Sequence, residues 1–364
     1  MFENFSFTSY FIDKNIWKYL KNEITTYSNI LIITGENSFN SIREKLFPLL
    51  EEKKYSIEKY HGECSYEHVD EILKNTLNKK FDLVLGIGGG KAIDTAKITA
   101  FKLGIDIFSI PTIASTCSAT SALSVVYNND GSFKEFFDFP SPPKKTFVDL
   151  ETIKSAPEKY IWAGMGDTLA KFYEVRMKYE YVSSKNNGKM TYPNSLGKEI
   201  SHLCKTVILE NGVSAYFAED INEEFKKVVL AIIVNTGMVS NLVEEFLNGA
   251  IAHSVFYGLT LLPSLEKEHL HGEVVAFGIL VQLLLEGKKE EYKQLLPFYK
   301  KLSFPAKLSE VVKKDEFEKL EDKVLWAILA GPDIIDMEFN INKECFKRNT
   351  FFIVGGKNEK LYCR

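Results

Sequence analysis

Cysteine is scarce and unpatterned in this chain: Cys64, Cys117, Cys204, Cys345 and Cys363 are the only five in 364 residues, with no CxxC pair. That excludes a thiolate zinc cage and a disulfide framework, and points to a reducing, cytoplasmic compartment. Charge of one sign is lacking too. The balance of 45 Lys and Arg against 49 Asp and Glu leaves −4, so nothing draws the chain to nucleic acid or an anionic membrane. The opening MFENFSF has no basic stretch followed by an apolar core, and no signal peptide is expected. Apolar runs fall short of a bilayer's thickness, so no membrane span is expected. There is no repeat and no low-complexity tract. Histidine is rare as well, six in all, so each one can be weighed.

What is present is an ordinary globular composition, 45% hydrophobic and 26% charged, at a length that suggests two domains. The first half alternates short β-branched apolar runs with helical patterns. Strands are expected at 29–34, 55–60, 83–87, 107–110 and 148–150, and helices at 39–53, 66–77 and after residue 90. This alternation predicts a parallel sheet with helices on both faces. From about residue 161 the pattern turns helical. We therefore expect an α/β dinucleotide-binding domain over 1–158 and an all-α metal- and substrate-binding domain over 159–364. The tail from residue 345, with FFIV before Gly355, reads as a late strand of unassigned place.

The richest stretch is 81–97, FDLVLGIGGGKAIDTAK. A strand runs into Gly88, Gly89 and Gly90, and a helical pattern starts at once. Glycines let the backbone approach a ligand, and a helix N-terminus offers N–H groups and a positive dipole end, so this is a phosphate cradle. It matches neither GxGxxG nor a Walker loop, because Lys91 is followed by Ala92. A purely structural glycine turn is the alternative. In parallel sheets ligands sit beyond the carboxyl ends of strands, where this turn lies. The segment 111–131, PTIASTCSATSALSVVYNNDG, is too polar for a core helix and too apolar for a linker. It reads as a loop lining a site.

Among the histidines, His61, His68 and His202 read as surface or structural. His253, in NGAIAHSVFYGL, and His271, in HLHGEVVAFGIL, sit in apolar helical surroundings where a polar ring needs a partner. Along one straight helix they would stand about 27 Å apart, but Pro263 and Gly258 let the chain turn back. Asp167 follows Gly164 and Gly166 and is expected to open a helix, where an N-cap role is the alternative. One aspartate and two histidines make a three-ligand site with an open position, the pattern of catalytic zinc or of non-haem iron.

The motifs GIGGGKAIDTAK, IPTIASTCSATSALSVVY, AGMGDTLAKFYE, AHSVFYGLT and LHGEVVAFGIL occur in the order of the glycerol dehydrogenase family. That family lies within the iron-containing alcohol dehydrogenase and dehydroquinate synthase-like superfamily. The resemblance covers roughly residues 28–285. It implies a Rossmann-like domain, an all-helical domain and a cleft holding nicotinamide and metal. It implies Asp167, His253 and His271 as metal ligands. Cofactor contacts would come from Gly88, Gly89, Gly90, Lys91 and Ala92, from Thr112, Ile113, Ala114 and Ser115, and from Ser121, Leu123 and Tyr127. The implied activity is hydride transfer between a small polyol and NAD, with a dication easing loss of the alcohol proton. A homo-oligomer is expected. Four-ligand relatives carry a histidine where this chain has Lys171, which favours Zn2+ over Fe2+.

Three positions depart from the family pattern. Cys117 replaces an aspartate that binds the polyol, and a thiol is a weak hydrogen-bonding group. Phe256 replaces a second histidine and makes that wall apolar. Glu36 stands near the place of the acidic residue on the adenosine ribose; if it does not serve there, NADP is also open. GDTLAKF also resembles the sn-glycerol-1-phosphate dehydrogenase branch, in which Lys171 or Arg176 would meet a phosphate. A non-catalytic nucleotide-binding relative is the alternative from another class.

Overall fold

The computed structural model describes residues 6–331, 333, 334 and 337. The late strand expected after residue 345 lies outside them. The described residues sort into two compact units: one runs to Ile161 and takes in Ala218–Asn241, the other holds Trp162–Phe217 and the described residues from Leu242 on.

Among the described residues the first unit carries eight strands: β1 (Ser9–Asp13), β2 (Asn29–Thr34), β3 (Lys54–Lys59), β4 (Leu83–Gly88), β5 (Asp106–Pro111), β6 (Leu123–Tyr127), β7 (Phe133–Asp138) and β8 (Lys145–Asp149). Between them lie α1 (Trp17–Glu23), α2 (Glu36–Leu46), α3 (Tyr66–Thr76), α4 (Gly90–Leu103) and α5 (Leu150–Ser155). Six strands form one sheet in the order β1-β8-β5-β4-β2-β3, all parallel, while β6 and β7 form an antiparallel pair. Consecutive strand residues face opposite sides, so a parallel sheet covered on both faces needs apolar residues at every position. Strands β2 and β4 show this. Ile30, Ile32, Leu83, Leu85 and Ile87 pack with Trp17, Leu20, Ile42 and Leu46 on one face. Leu31, Ile33 and Val84 pack with Ile72, Ala96 and Ala100 on the other.

Two expectations change here. The stretch 111–131 is not all loop, since β6 emerges from it. Nor does one cut near residue 158 divide the chain. The helices α8 (Glu223–Leu230) and α9 (Thr236–Leu242), joined by a wide turn at Ala231–Asn235, group with the α/β unit as far as Asn241. Side chains fix them there: the Thr120 hydroxyl donates to the Ile233 carbonyl. Asn241 accepts from the Ala122 N–H at 2.8 Å and donates to the Thr120 carbonyl at 3.0 Å. The run Glu223–Leu242 is, by length and composition alone, apolar enough to cross a membrane, against the expectation of none. Phe225, Val228, Val229 and Ile233 are spent on burial within the protein instead.

The second unit contains α6 (Lys159–Lys185), which begins just before it, α7 (Tyr192–Tyr216), α10 (Ile251–Leu259), α11 (Leu265–Glu268), α12 (His271–Leu285), α13 (Lys289–Leu302) and α14 (Lys314–Leu329). Helix α12 is apolar nearly all round, and Gly272 and Val274 through Leu283 are buried, as expected of a helix enclosed by others. Its neighbours include α10, α13 and, at its first turn, α6. The α6 crossing depends on two glycines. A Cβ on Gly166 would collide with the Gly272 carbonyl, and one on Gly272 with the carbonyl of Ala163. Backbone therefore lies directly on backbone at this point.

Candidate functional site

The backbone contact at Gly166 and Gly272 sets Asp167 beside His271, since each acidic or basic residue is the chain neighbour of its glycine or lies next to it. His271 is the first residue of α12. His253 comes from α10, which ends at Leu259; the chain turns through Pro263 and α11 before α12 begins. The turn expected from Pro263 thus brings the two imidazoles together, with ring centres 5.3 Å apart. Asp167 Oδ1 lies 3.5 Å from His253 Nε2 and 3.4 Å from His271 Nε2. Asp167 does not open a helix. It sits well inside α6, which starts at Lys159, so the N-cap alternative falls.

Behind His253 stands a residue the sequence reading missed. Glu174 is fully buried, and it is two helical turns after Asp167 on the same face of α6. Its Oε1 accepts the N–H groups of Ala250 and His253, both at 2.9 Å, and its Oε2 lies 2.6 Å from His253 Nδ1. Helix α10 has no side-chain cap of its own. Glu174 supplies that cap from another helix, where the positive dipole end favours a carboxylate. The spacing of seven from Asp167 was the available signal.

Charge at the centre is coupled. Burial opposes the ionised form of Asp167, but hydrogen bonds and attraction from His253 and His271 outweigh it and hold the carboxyl far below the usual range. Burial likewise opposes the His253 imidazolium, yet Glu174 and Asp167 push that ring up to about 10. Glu174 stays ionised against its own burial for the same reason, the nearby His253. Two buried carboxylates around two imidazoles favour positive charge at this point, whether brought by a proton or by a cation.

The donor set fits a divalent transition metal. The ligand atoms of Asp167, His253 and His271 all lie within 4.8 Å of one another. Zinc bonds of about 2.0–2.1 Å in a tetrahedron separate neighbouring donors by about 3.4 Å, and the 3.5 and 3.4 Å spacings match. With Nδ1–H given to Glu174, His253 keeps the Nε2 lone pair on the side of Asp167.

Lys171 and Arg176 do not form the phosphate site that the alternative reading required. Lys171 is buried, and its ammonium donates to the Asn248 carbonyl at 2.8 Å and to the Asn248 side chain at 3.4 Å. Arg176 spans Glu286, at 3.1 and 2.9 Å, and Glu291, at 2.6 Å. Phe256 is buried and presents its ring edge-on to His271, 4.4 Å between centres.

In the first unit, Gly88 ends β4, Gly89 caps α4 with no side-chain bond, and Gly90, Lys91 and Ala92 form its first turn. Gly88 has φ +149°, and a Cβ there would meet Ala92 Cβ at 2.9 Å and Ser38 Oγ at 3.2 Å. The turn is thus a cradle that added side-chain atoms would fill, at a helix N-terminus, which fits a pyrophosphate. Thr112 donates its N–H to the Gly88 carbonyl at 3.0 Å, and Ile113 packs over Gly89. Ala114 is buried, Ser115 half-buried. Lys91 turns aside: its ammonium pairs with Glu63 at 2.5 Å and lies 4.7 Å from the Tyr127 ring centre. Ser121 and Leu123 are tied to α4 through buried Lys97, which donates to both carbonyls and pairs with Asp94 at 2.8 Å. Asp94 also accepts from Ser118 at 2.6 Å and from the Val125 N–H at 3.2 Å. Cys117 Sγ stands 3.9 Å from Ser240 Oγ. Sequence reasoning missed Asp94 and Lys97; polar residues three apart in a helix of otherwise small, buried positions were the sign.

The family model of iron-containing alcohol dehydrogenases matches residues 8–150. A glycerol dehydrogenase of Thermotoga maritima is 34% identical over 80% of this chain and 78% of its own length. The chain belongs to the iron-containing alcohol dehydrogenase family. Another relative, hydroxycarboxylate dehydrogenase A of Escherichia coli, is 36% identical over 69% of this chain and 68% of its own. Among solved structures, a probable glycerol dehydrogenase from Sinorhizobium meliloti superposes with a TM-score of 0.83 at 25% identity, covering 96% of this chain and 97% of that one. The glycerol dehydrogenase of Schizosaccharomyces pombe gives 0.81 at 26%, over 96% and 90%. The expected fold class, an α/β unit with a helical unit, is that of the family.

Proposed function

We propose that this family member oxidises a small vicinal polyol, glycerol or a near relative, to the ketone, with NAD as acceptor and zinc as metal, in a reducing cytoplasmic compartment. The observation that carries the reading is the trio Asp167, His253 and His271 at zinc-like spacing, with Glu174 holding His253 in the right tautomer. When bound, the dication supplies Lewis acidity toward the substrate hydroxyl, and the nicotinamide supplies a hydride acceptor. The residues of the chain do the positioning. Asp167, His253 and His271 would hold the cation; Glu174 fixes one imidazole; Phe256 lays an apolar wall on His271 and keeps water from that side. The glycine turn and the first N–H groups of α4 would take the pyrophosphate.

Zinc is favoured over iron because Lys171 stands where a fourth ligand would be and is bound to Asn248. NAD is favoured over NADP because Glu36, exposed at the start of α2 just after β2, repels a 2′-phosphate, although Lys59 pairs with it. The few, unpatterned cysteines support the reducing compartment. The test is glycerol-dependent reduction of NAD+ and NADP+ by metal-stripped protein restored with zinc or iron. Turnover with zinc and NAD+ is expected. Failure with every vicinal diol under both metals refutes the function.

A further inference from the structure

A second cluster of metal-ligating side chains stands in the α/β unit. His68 lies in the first turn of α3, where its N–H donates to the capping Ser65 at 3.2 Å. Its ring is only 7% exposed, and neither nitrogen has a hydrogen-bond partner. Burying an imidazole with both nitrogens unsatisfied is unfavourable unless something occupies them. Glu71, three residues on and so on the same face of α3, places Oε2 3.6 Å from His68 Nδ1. His61, in the loop after β3, brings Nε2 to 3.9 Å from that same oxygen, and its ring centre lies 4.4 Å from that of His68. The three donor atoms fall within 4.8 Å of one another.

We propose that His61, His68 and Glu71 form a second metal site, for a borderline divalent cation such as Zn2+ or Ni2+. Two imidazoles with one carboxylate select that class over Mg2+ and Ca2+, which prefer all-oxygen cages. The spacings exceed the tetrahedral zinc value of about 3.4 Å by a few tenths of an ångström. The side chains of His61 and Glu71 are 69% and 55% exposed and can close that gap, while His68 is the fixed donor. The loop between His61 and His68 carries Glu63, which pairs with Lys91, and Cys64, whose carbonyl accepts the Tyr127 N–H at 2.8 Å. A cation held here pins that loop beside the first turn of α4. The site is independent of the trio in the other unit and of the function proposed for it.

Metal counting on the full chain tests it. In His271→Ala protein, stripped by chelator and dialysed against ZnCl2, one bound zinc is expected. Adding His61→Ala or Glu71→Gln, both at exposed positions that leave the core intact, should weaken that zinc at least tenfold, since even outer-shell losses cost about 10–100-fold. Amide exchange at 60–68 should slow with zinc in the parent and not in the His61→Ala chain. Folded His271→Ala protein that takes up no zinc overturns the proposal, as does uptake indifferent to both substitutions. If instead the parent and the His271→Ala chain each bind one zinc that His61→Ala removes, the second site stands and the trio's metal role fails.

Discussion

Glu174→Gln is the sharpest test of how the centre works, because it changes one atom of a side chain that is completely buried. Gln keeps the volume, and its amide oxygen can still take the N–H groups of Ala250 and His253, now accepted at 2.9 Å. The start of α10 should survive. What Gln cannot do is accept a hydrogen bond from His253 Nδ1–H with its NH2 group. The imidazole must then carry its proton on Nε2, the atom that faces Asp167 at 3.5 Å, and a protonated nitrogen cannot ligate. Losing an orienting partner of this kind costs about 10–100-fold in metal affinity, or about 1.4–2.7 kcal/mol. The assay is chelator competition for zinc, run with a thermal melt and glycerol-dependent NAD+ reduction. Expected is a weakened metal, activity restored only by excess zinc, and a melting temperature much less affected than in Glu174→Ala. That second variant strands the start of α10 and leaves His253 without its anion, a loss of about 3–5 kcal/mol for a buried pair. If Glu174→Gln binds zinc like the parent, the tautomer argument is wrong and Glu174 is only a helix cap.

Two further outcomes are expected. Gly88→Ala forces a side chain into φ +149° against Ala92 and Ser38, at about 1–3 kcal/mol of strain. Titration with NADH should show weaker dinucleotide binding with zinc binding unchanged, and an unaltered NADH affinity would refute the cradle. Lys171→Met removes a buried charged donor to Asn248, worth about 1.5–3 kcal/mol. It should lower the denaturant midpoint while leaving the kcat/KM ratio for glycerol over glycerol phosphate unchanged; a loss confined to the phosphorylated substrate would revive the phosphate-binding role.

Much of this was legible from the chain alone. Continuous β-branched apolar runs alternating with helical patterns, and the glycine turn, specify the parallel sheet because they report local backbone demands. His253 and His271 stood out because polar rings in apolar helices need partners, and Pro263 announced the reversal between them. The failures share a cause, which is that the deciding contact was distant in sequence. Gly164 and Gly166 looked like the approach to a helix start, yet Gly166 serves a helix crossing within α6. Glu174 went unnoticed, because the N–H groups it accepts lie at the start of α10, more than 70 residues on. The alternative reading sets Lys171 against a phosphate, whereas its bond to Asn248, 77 residues on, accounts for the buried ammonium. Ala218–Asn241 read as part of the helical half, because hydrogen bonds from Thr120 and Asn241 are invisible to periodicity.

The contact of Gly166 with Gly272 bears on how such a protein could be re-engineered. Main chain, rather than interlocking side chains, sets the separation of Asp167 from His271. Repacking nearby side chains therefore leaves that spacing alone. The ring of Phe256, which touches His271 from the side, can then be exchanged to suit a different alcohol without re-deriving the metal geometry. Substrate preference and metal geometry become separate design variables in this scaffold, and only a residue larger than glycine at the crossing would couple them.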